Sequence, residues 1–316
     1  MTCKKNAIAL TLFSLLAQIP LAQAADIMNL PSMNEFRQVR DAGKTIWMLE
    51  LDNDSFLLNK DDRFYTAGDH LQETFIQHTD LQSLIYGWRA GQDLYTATDV
   101  KLLPAQIPRY DHPYAGWLYA GVFGKKADIN GRSWGWGLDI GCLGPCAGGA
   151  WTQTQLHHLI RQPLPQGWST QFKNEPGVVI SGDYSPGRLL PFAGVDVTPG
   201  IKGRFGNIFT DASAQIVVRA GELNKLDYQR ASYAFFRAEA KWTGYNATLQ
   251  GGYFNDEPAR LTIKHRGGEL EAGYLWQGDK YGVSASLIRR ANEIAQITNA
   301  TGDQNFIRLQ FYYAMQ

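Results

Sequence analysis

Apolar and polar residues alternate along many segments of about ten residues, which is the period of β-strands with two different faces. The apolar faces of three such segments carry Trp134, Trp136, Leu138 and Ile140; Ala115, Trp117, Tyr119, Gly121 and Phe123; and Tyr281, Val283, Ala285 and Leu287. A soluble β-sandwich would show the same alternation. However, aromatic residues concentrated toward the segment ends are typical of strands that face lipid between aromatic girdles. The pattern therefore favours lipid-facing strands.

The start of the chain predicts export. Lys4 and Lys5 precede a short, mostly apolar segment at residues 7–16, and Ala22, Gln23 and Ala24 form a small-residue cleavage motif. These features predict a signal peptide over residues 1–24. A transmembrane anchor is the alternative, but the apolar segment is too short to span a bilayer as a helix. An exported chain without a transmembrane helix can enter a bilayer only as a closed barrel.

Loop lengths provide a second test, because outer-membrane barrels have short periplasmic turns and longer outer loops. Starting from a strand at residues 45–51, the predicted inner turns are 78–82, 127–132, 185–187, 222–229 and 278–279, and the predicted outer loops are 55–63, 95–113, 144–175, 200–211, 255–258 and 292–303. Residues 243–246 are interpreted as the top of one long strand. The final strand, 306–313, then ends inside. The sequence predicts an all-β, antiparallel transmembrane barrel of about twelve strands over residues 25–316.

Composition narrows the function classes. Thirty basic residues balance thirty acidic residues, which argues against nucleic acid as a partner because that binding depends on phosphate neutralisation. The apolar content of 44% suffices for one large β domain or two smaller ones, and no low-complexity linker marks a boundary. One domain is predicted.

Two cysteines remain after Cys3 is removed with the signal peptide. Cys142 and Cys146 form an even pair in an oxidising compartment. A local disulfide is favoured over a metal site, because no second cysteine or histidine pair lies at zinc spacing.

Polar side chains cluster where the first strand ends and the second begins. Asp52, Asn53 and Asp54 follow the strand at 45–51, and Thr66 opens the next one. The two strand ends are joined by one loop, which brings Asn53, Asp54 and Thr66 together. Such a set offers an oxygen-rich site for a hard cation or a polarised carbonyl. The alternative is a hairpin loop, where Asn and Asp are common for conformational reasons alone.

The long loop at 144–175 opens on the same rim. Residues 150–161 contain no Gly or Pro, which predicts a short helix. Gln153 and His157 share one helix face at i, i+4 spacing, whereas His158 points elsewhere. A histidine beside the polar cluster suggests a general base next to groups that would hold and polarise a carbonyl group. A purely structural histidine is the alternative.

Several motifs together indicate a family. They are N-D at 53–54, Y-T-x-G at 65–68, Q-D-x-Y at 92–95, D-I-G-x-x-G-P-x-A-G-G at 139–149, Q-x-x-x-H at 153–157, N-E-P-G at 174–177 and G-N at 206–207. On these residues the chain resembles the outer-membrane lipid A 3'-O-deacylases over nearly its whole mature length. The glycine-rich motif followed at fixed spacing by Q-x-x-x-H is the specific part.

The signal peptide, the alternating segments and the loop parity predict a monomeric barrel in the outer membrane of a Gram-negative cell. The resemblance implies a twelve-stranded, calcium-dependent ester hydrolase that removes the 3' acyl chain from the lipid A of lipopolysaccharide. By position, the family's active-site residues are Asn53, Asp54, Thr66, Gln153 and His157. His157 would deprotonate water, and Ca²⁺ held near Asp54 would stabilise the oxyanion. Ser55 or Thr66 as a nucleophile is the alternative.

Three departures from the family accompany this resemblance. Lys101 is the nearest counterpart of a basic pair in the second outer loop, Cys146 replaces an acidic residue, and the chain lacks a terminal aromatic residue.

Two rival functions remain open. One is an outer-membrane phospholipase, and the other is a passive pore or adhesin. Many lumen-facing positions carry Gly, Ser or Ala, and about twelve strands leave limited room, so conduction is expected to be poor.

Overall fold

The structure is a computed structural model that describes residues 32–57, 64–190, 192–255 and 261–315. The predicted signal peptide at 1–24 lies outside these ranges, as do residues 58–63 of the first predicted loop and 256–258 of the fifth predicted outer loop. No helix within the described ranges combines the length and apolarity needed to cross a membrane.

The described residues form a closed antiparallel barrel in which each strand pairs with its neighbours in sequence and the last strand pairs with the first. The strands are β1 Lys44–Asn53, β2 Phe64–His78, β3 Gln82–Thr96, β4 Ala115–Asp128, β5 Arg132–Leu143, β6 Glu175–Pro186, β7 Val195–Gly206, β8 Phe209–Glu222, β9 Ala231–Asn246, β10 Arg266–Gln277, β11 Tyr281–Arg290 and β12 Gln304–Met315. The helices are α1 Met33–Ala42, α2 Gly149–Ile160, α3 Ala247–Gln250 and α4 Asn299–Gly302. The predicted all-β transmembrane barrel with a short helix in an outer loop is confirmed.

The alternation predicts most strand faces correctly. Ile140 on β5 and Tyr281 on β11 are exposed on the outer wall, whereas Asp139 points into the lumen and receives a hydrogen bond from Arg89 at 2.8 Å. These strands therefore have one polar face and one lipid-facing apolar face, as predicted.

The prediction for β4 was wrong. Trp117 is buried inside the barrel, whereas Leu118 and Val122 are exposed on the outer wall. Both faces of β4 are apolar, so alternation alone does not tell which face is inside. The choice comes from register, because Gly121 lies opposite the lumen-facing Asp139.

One predicted loop was also wrong. Residues 200–211 form most of a hairpin rather than an outer loop, because β7 continues to Gly206 and β8 begins at Phe209. Pro199, Gly200 and Gly203 lie in β7 of this hairpin. The strands are nevertheless paired there, and Arg204 forms an ion pair with its cross-strand neighbour Asp211.

Ion pairs line the lumen. Arg308 pairs with Asp52 at 2.7 Å on the neighbouring strand, and Arg89 pairs with Asp139 at 2.8 Å, so the lining is more charged than the sequence suggested. Toward the outer end, buried side chains from strands around the barrel form one apolar cluster that includes Tyr65, Tyr95, Trp117, Phe209, Ile288 and Phe306. This cluster, called the outer plug below, fills the outer end of the lumen.

Candidate functional site

The predicted polar cluster lies on the outer wall of the barrel. On β1, Glu50 and Asp52 bond to Arg308 in the lumen. Asn53 lies on the other face of β1, the face that also carries the exposed Leu49. Because side chains alternate across a strand, Asn53 faces outward, away from the lumen, at the outer end of β1.

A β-bulge directs Thr66 to the same place. Tyr65 lies opposite Tyr95 and Ala67 lies opposite Leu94, so Thr66 is an extra residue in β2. Bulges bend a strand locally and re-aim a side chain. Here Tyr65 points into the outer plug, while the Thr66 hydroxyl shares a 2.6 Å hydrogen bond with the Thr96 hydroxyl and lines an outer-wall cavity.

Helix α2 closes this cavity from outside. Its buried residues, Gly149, Gln153 and His157, recur every four positions and so share one face. A side chain at Gly149 would collide with the wall, because a Cβ there would lie 2.6 Å from the Trp168 ring and 2.8 Å from Leu94. Glycine therefore lets α2 lie close against the barrel.

The predicted disulfide joins Cys142 to Cys146, with the two Cα atoms 6.0 Å apart. It links the end of β5 to the segment that leads into α2. The Cys146 N–H also donates to Asn174 Oδ1 at 2.8 Å. Both contacts fix the start of the helix relative to the barrel rim.

Four of the five predicted site residues line one cavity: Asn53, Thr66, Gln153 and His157. The cavity volume of about 20 Å³ accommodates about one water molecule. Asp54 is buried next to it, and its backbone N–H donates to the Thr66 carbonyl at 3.4 Å. Asp54 is not among the lining residues. His158 is exposed, as predicted.

A backbone carbonyl fixes the proton on His157. The Nδ1 atom lies 2.6 Å from the Pro163 carbonyl oxygen. Since a carbonyl only accepts hydrogen bonds, Nδ1 carries the proton in the neutral ring, and Nε2 keeps its lone pair. The ring is thus held as the tautomer that can accept a proton at Nε2.

An indole fixes the amide of Gln153. The Trp168 Nε1–H donates to Gln153 Oε1 at 2.8 Å, and both residues are buried. Because an indole is only a donor, this contact identifies which amide atom is the oxygen. The remaining atom, Nε2, is buried and has no hydrogen-bond partner within the described residues. Gln153 therefore presents an unused N–H donor group beside His157.

Asn53 is oriented in a similar way. Its Oδ1 accepts a hydrogen bond from the Ser55 backbone N–H at 2.7 Å and a short one from the Ser55 hydroxyl. The side-chain oxygen is thereby occupied, which leaves the Asn53 NH₂ group as the available donor. Two amide donors and one imidazole lone pair line the same small cavity. Such a set can activate a water molecule and stabilise an oxyanion.

The residues around Asp54 match calcium in ligand type. Calcium binds carboxylate, carbonyl and hydroxyl oxygens. Asp54 is buried and its backbone N–H donates to the Thr66 carbonyl, and the cavity next to it is lined by amide and hydroxyl side chains. Among the described residues no group of three or more His, Cys, Asp and Glu is placed to hold a metal. Ligands that the described residues could add to Asp54 at this place are therefore mostly neutral oxygens.

Sequence reasoning missed the residues that orient the site. Trp168 and Pro163 lie on the return segment after α2, and Ser55 orients Asn53. One signal was present. Gly149 lies four residues before Gln153, which extends the buried face of the helix and indicates close packing against a large neighbour.

Comparison with known proteins gives one family and a shared fold. The family described as outer membrane protein LpxR matches residues 8–315. The structure of LpxR from Salmonella typhimurium is similar, with a TM-score of 0.69 and 21% identity, over 85% of this chain and 99% of that chain. An outer membrane channel from Pseudomonas putida F1 has a TM-score of 0.51 at 10% identity, over 92% of this chain and 98% of that chain. At such identities the structural likenesses show the fold alone. The search of curated proteins found no match.

Proposed function

We propose, from the premise that this chain belongs to the outer membrane protein LpxR family, that it hydrolyses the ester-linked 3' acyl chain of lipid A. The fold and the family place the protein in the Gram-negative outer membrane.

The observation that carries this proposal is the position of the cavity. It lies on the outer wall at the outer end of β1 to β3, not in the lumen. A substrate at that position enters from the outer leaflet, which in this membrane consists of lipopolysaccharide. The solvent-facing side of α2 presents Trp151, Leu159 and Ile160, all exposed apolar side chains. These residues suit contact with acyl chains around the entrance.

In the proposed reaction, His157 Nε2 takes a proton from water while the water oxygen attacks the ester carbonyl carbon. The carbonyl π electrons move to the oxygen, and the NH₂ groups of Gln153 and Asn53 donate to the resulting oxyanion. Collapse breaks the bond to the sugar oxygen, which takes the proton back from His157. The products are a fatty acid and a sugar hydroxyl. A positioned base contributes typically about 10²–10⁴-fold, and one oxyanion donor about 10²–10³-fold.

Calcium has a defined place in this proposal. Asp54 would hold it, with Thr66 contributing a neutral oxygen, and when bound it supplies positive charge near the developing oxyanion.

Water is favoured over a side chain as the nucleophile. The Ser55 hydroxyl donates to Asn53, and the Thr66 hydroxyl bonds with Thr96. Each hydroxyl therefore has a contact that maintains local structure. An enzyme nucleophile would need its hydroxyl directed at the base.

The rival functions differ from the deacylase in specific ways. A passive pore needs an open lumen, and the outer plug argues against one. A phospholipase would share the reaction and the outer-wall site but act on a glycerophospholipid.

Mass spectrometry separates these possibilities. The full-length protein should be produced in a Gram-negative host, and its lipid A and phospholipids compared with those from cells carrying an empty vector. Detergent-solubilised membranes assayed with calcium control for latency in the intact membrane. Loss of one 3' acyl or acyloxyacyl group from lipid A, with unchanged phospholipids, is the expected result. Lysophospholipid formation with intact lipid A would replace the proposal by the phospholipase, and no change in either lipid would overturn the hydrolase.

A further inference from the structure

Helix α1 packs on the outside of the barrel near its periplasmic end. The Phe36 ring contacts the rings of Phe75 and Tyr86 edge-on, with centroids 6.2 and 6.0 Å apart. Phe75 lies on the same face of β2 as the exposed Leu71, so its side chain faces outward. Tyr86 lies opposite Gly124, which shares its face of β4 with the exposed Val122. The helix therefore lies against the lipid-facing wall, and not inside the lumen.

Specific contacts hold the helix there. Val39 is fully buried, and Glu35 accepts hydrogen bonds from the Tyr86 hydroxyl at 2.9 Å and from Lys126 Nζ at 3.1 Å. The Ser32 side chain caps the helix by accepting from the Glu35 N–H at 3.1 Å. The helix is thus a built part of the outer wall.

The flanking contacts show which side of α1 faces the bilayer. The Gln38 side chain bonds to Gln77, one residue before β2 ends on the periplasmic side. The Phe36 ring contacts Phe75, which lies two residues farther from that end of the strand. The Phe36 flank therefore faces the membrane and the Gln38 flank faces the periplasm.

Three exposed side chains share the membrane flank. At about 100° per residue, Met33, Arg37 and Arg40 lie within one narrow sector on the Phe36 side of the helix. Met33 is 64% exposed, and both arginines are exposed. Arg40 also pairs with Asp41 at 2.8 Å. An exposed apolar side chain beside two cations suits a membrane interface, where the apolar side chain can reach the acyl chains and the arginines the headgroups.

We propose that α1 is an interfacial helix that binds the phosphate-bearing headgroups of anionic phospholipids in the periplasmic leaflet. The Met33 side chain inserts among the first carbons of the acyl chains. The Arg37 and Arg40 side chains contact the phosphates of the headgroups to which these chains are attached. The lipid-contacting wall of the barrel continues directly into this surface. The role is independent of the outer-rim reaction.

Site-specific fluorescence tests the placement. Because the native cysteines are joined in a disulfide, Met33→Cys, Gln38→Cys and Asn130→Cys each provide one labelling position in the full mature protein. The proteins carry an environment-sensitive dye and are reconstituted in phosphatidylethanolamine–phosphatidylglycerol vesicles that contain lipids brominated high on the acyl chains. The label at residue 33 should be quenched several-fold more than the labels at 38 and at 130 in an exposed inner turn. Equal quenching at 33 and 130 would overturn the proposal.

The headgroup contacts need a second comparison. In the Met33→Cys background, Arg37→Gln and Arg40→Gln are combined, and quenching is compared between vesicles in which only the phosphatidylglycerol or only the phosphatidylethanolamine carries the bromine. Each arginine is expected to change the affinity of the α1 surface for an anionic headgroup about fivefold, so the double variant should lose most of the preference for phosphatidylglycerol near residue 33. An unchanged preference would show that the cations do not bind headgroups. The heat-modifiable gel shift of each variant confirms that the barrel is folded.

Discussion

The indole of Trp168 provides a quantitative test of how the site is oriented. Trp168→Phe keeps an aromatic ring next to Gly149 and in the apolar cluster with Tyr114 but removes the N–H that donates to Gln153 at 2.8 Å. A neutral hydrogen bond contributes about 0.5–1.5 kcal/mol, and a buried acceptor left unsatisfied costs about 1–3 kcal/mol. Without the bond, the Gln153 amide loses its preference for directing the NH₂ group at the cavity.

We therefore expect kcat to fall by about 5- to 100-fold, since about 1.4 kcal/mol corresponds to a factor of ten, while KM changes less. Gln153→Leu, which removes the donor entirely, should lose about 10²–10³-fold. The assay is release of fatty acid from purified lipid A in detergent, with folded protein quantified by the heat-modifiable gel shift.

Trp276→Phe is the matched control, because Trp276 is 47% exposed on the outer wall near the inner end of β10, away from the cavity. It should keep near wild-type kcat. The reasoning is refuted if Trp168→Phe retains wild-type kcat, or if both tryptophan variants lose activity equally.

Three further predictions concern calcium, the nucleophile and pH. Asp54→Asn should remove most of the calcium-induced rise in the heat-denaturation temperature and most of the activity. If calcium raises the denaturation temperature of the wild type and of Asp54→Asn equally, the metal assignment is refuted. Ser55→Ala should keep activity within about tenfold of wild type, since the Asn53 amide also accepts from the residue 55 backbone N–H, whereas complete loss would favour a serine nucleophile. Burial lowers the pKa of His112 below its usual 6.5, so the unfolded chain binds that proton more readily. Heat stability should therefore be full above pH 6.5 and fall as the pH drops below it, and His112→Asn should reduce this loss; an identical pH profile would refute the assignment.

Alternation and loop parity were sufficient to predict the barrel because lipid and lumen impose different residue types on the two faces of most strands. They failed for β4, where Trp117 contributes an aromatic side chain to the outer plug and makes both faces apolar. They also failed at residues 200–211, where Pro199 and nearby glycines are accommodated in paired strands. Helix α1 was missed because its few apolar residues become a recognisable face only against the wall they cover.

The candidate site shows a similar division. Helix spacing paired Gln153 with His157, and the two strand ends brought Asn53 near Thr66, as expected from the sequence. The bulge at Thr66 and the opening of the cavity on the outer wall depend on register, which only the closed barrel defines. The hydrogen bond from Trp168 joins residues on separate segments of one loop, so no local pattern reveals it.

The central claim is that His157 acts as a base on a lipid ester, and mass spectrometry of lipid A from cells producing His157→Ala or His158→Ala tests it most directly. His157→Ala should leave the 3' acyl chain in place, with a loss of about 10²–10⁴-fold in the purified assay, normal barrel yield and normal heat-modifiability. His158→Ala, on the exposed side of the same helix, should deacylate lipid A nearly as wild type does. Lipid A that is still deacylated when His157 is replaced, or a loss of folded barrel with unchanged activity per folded molecule, would contradict the account.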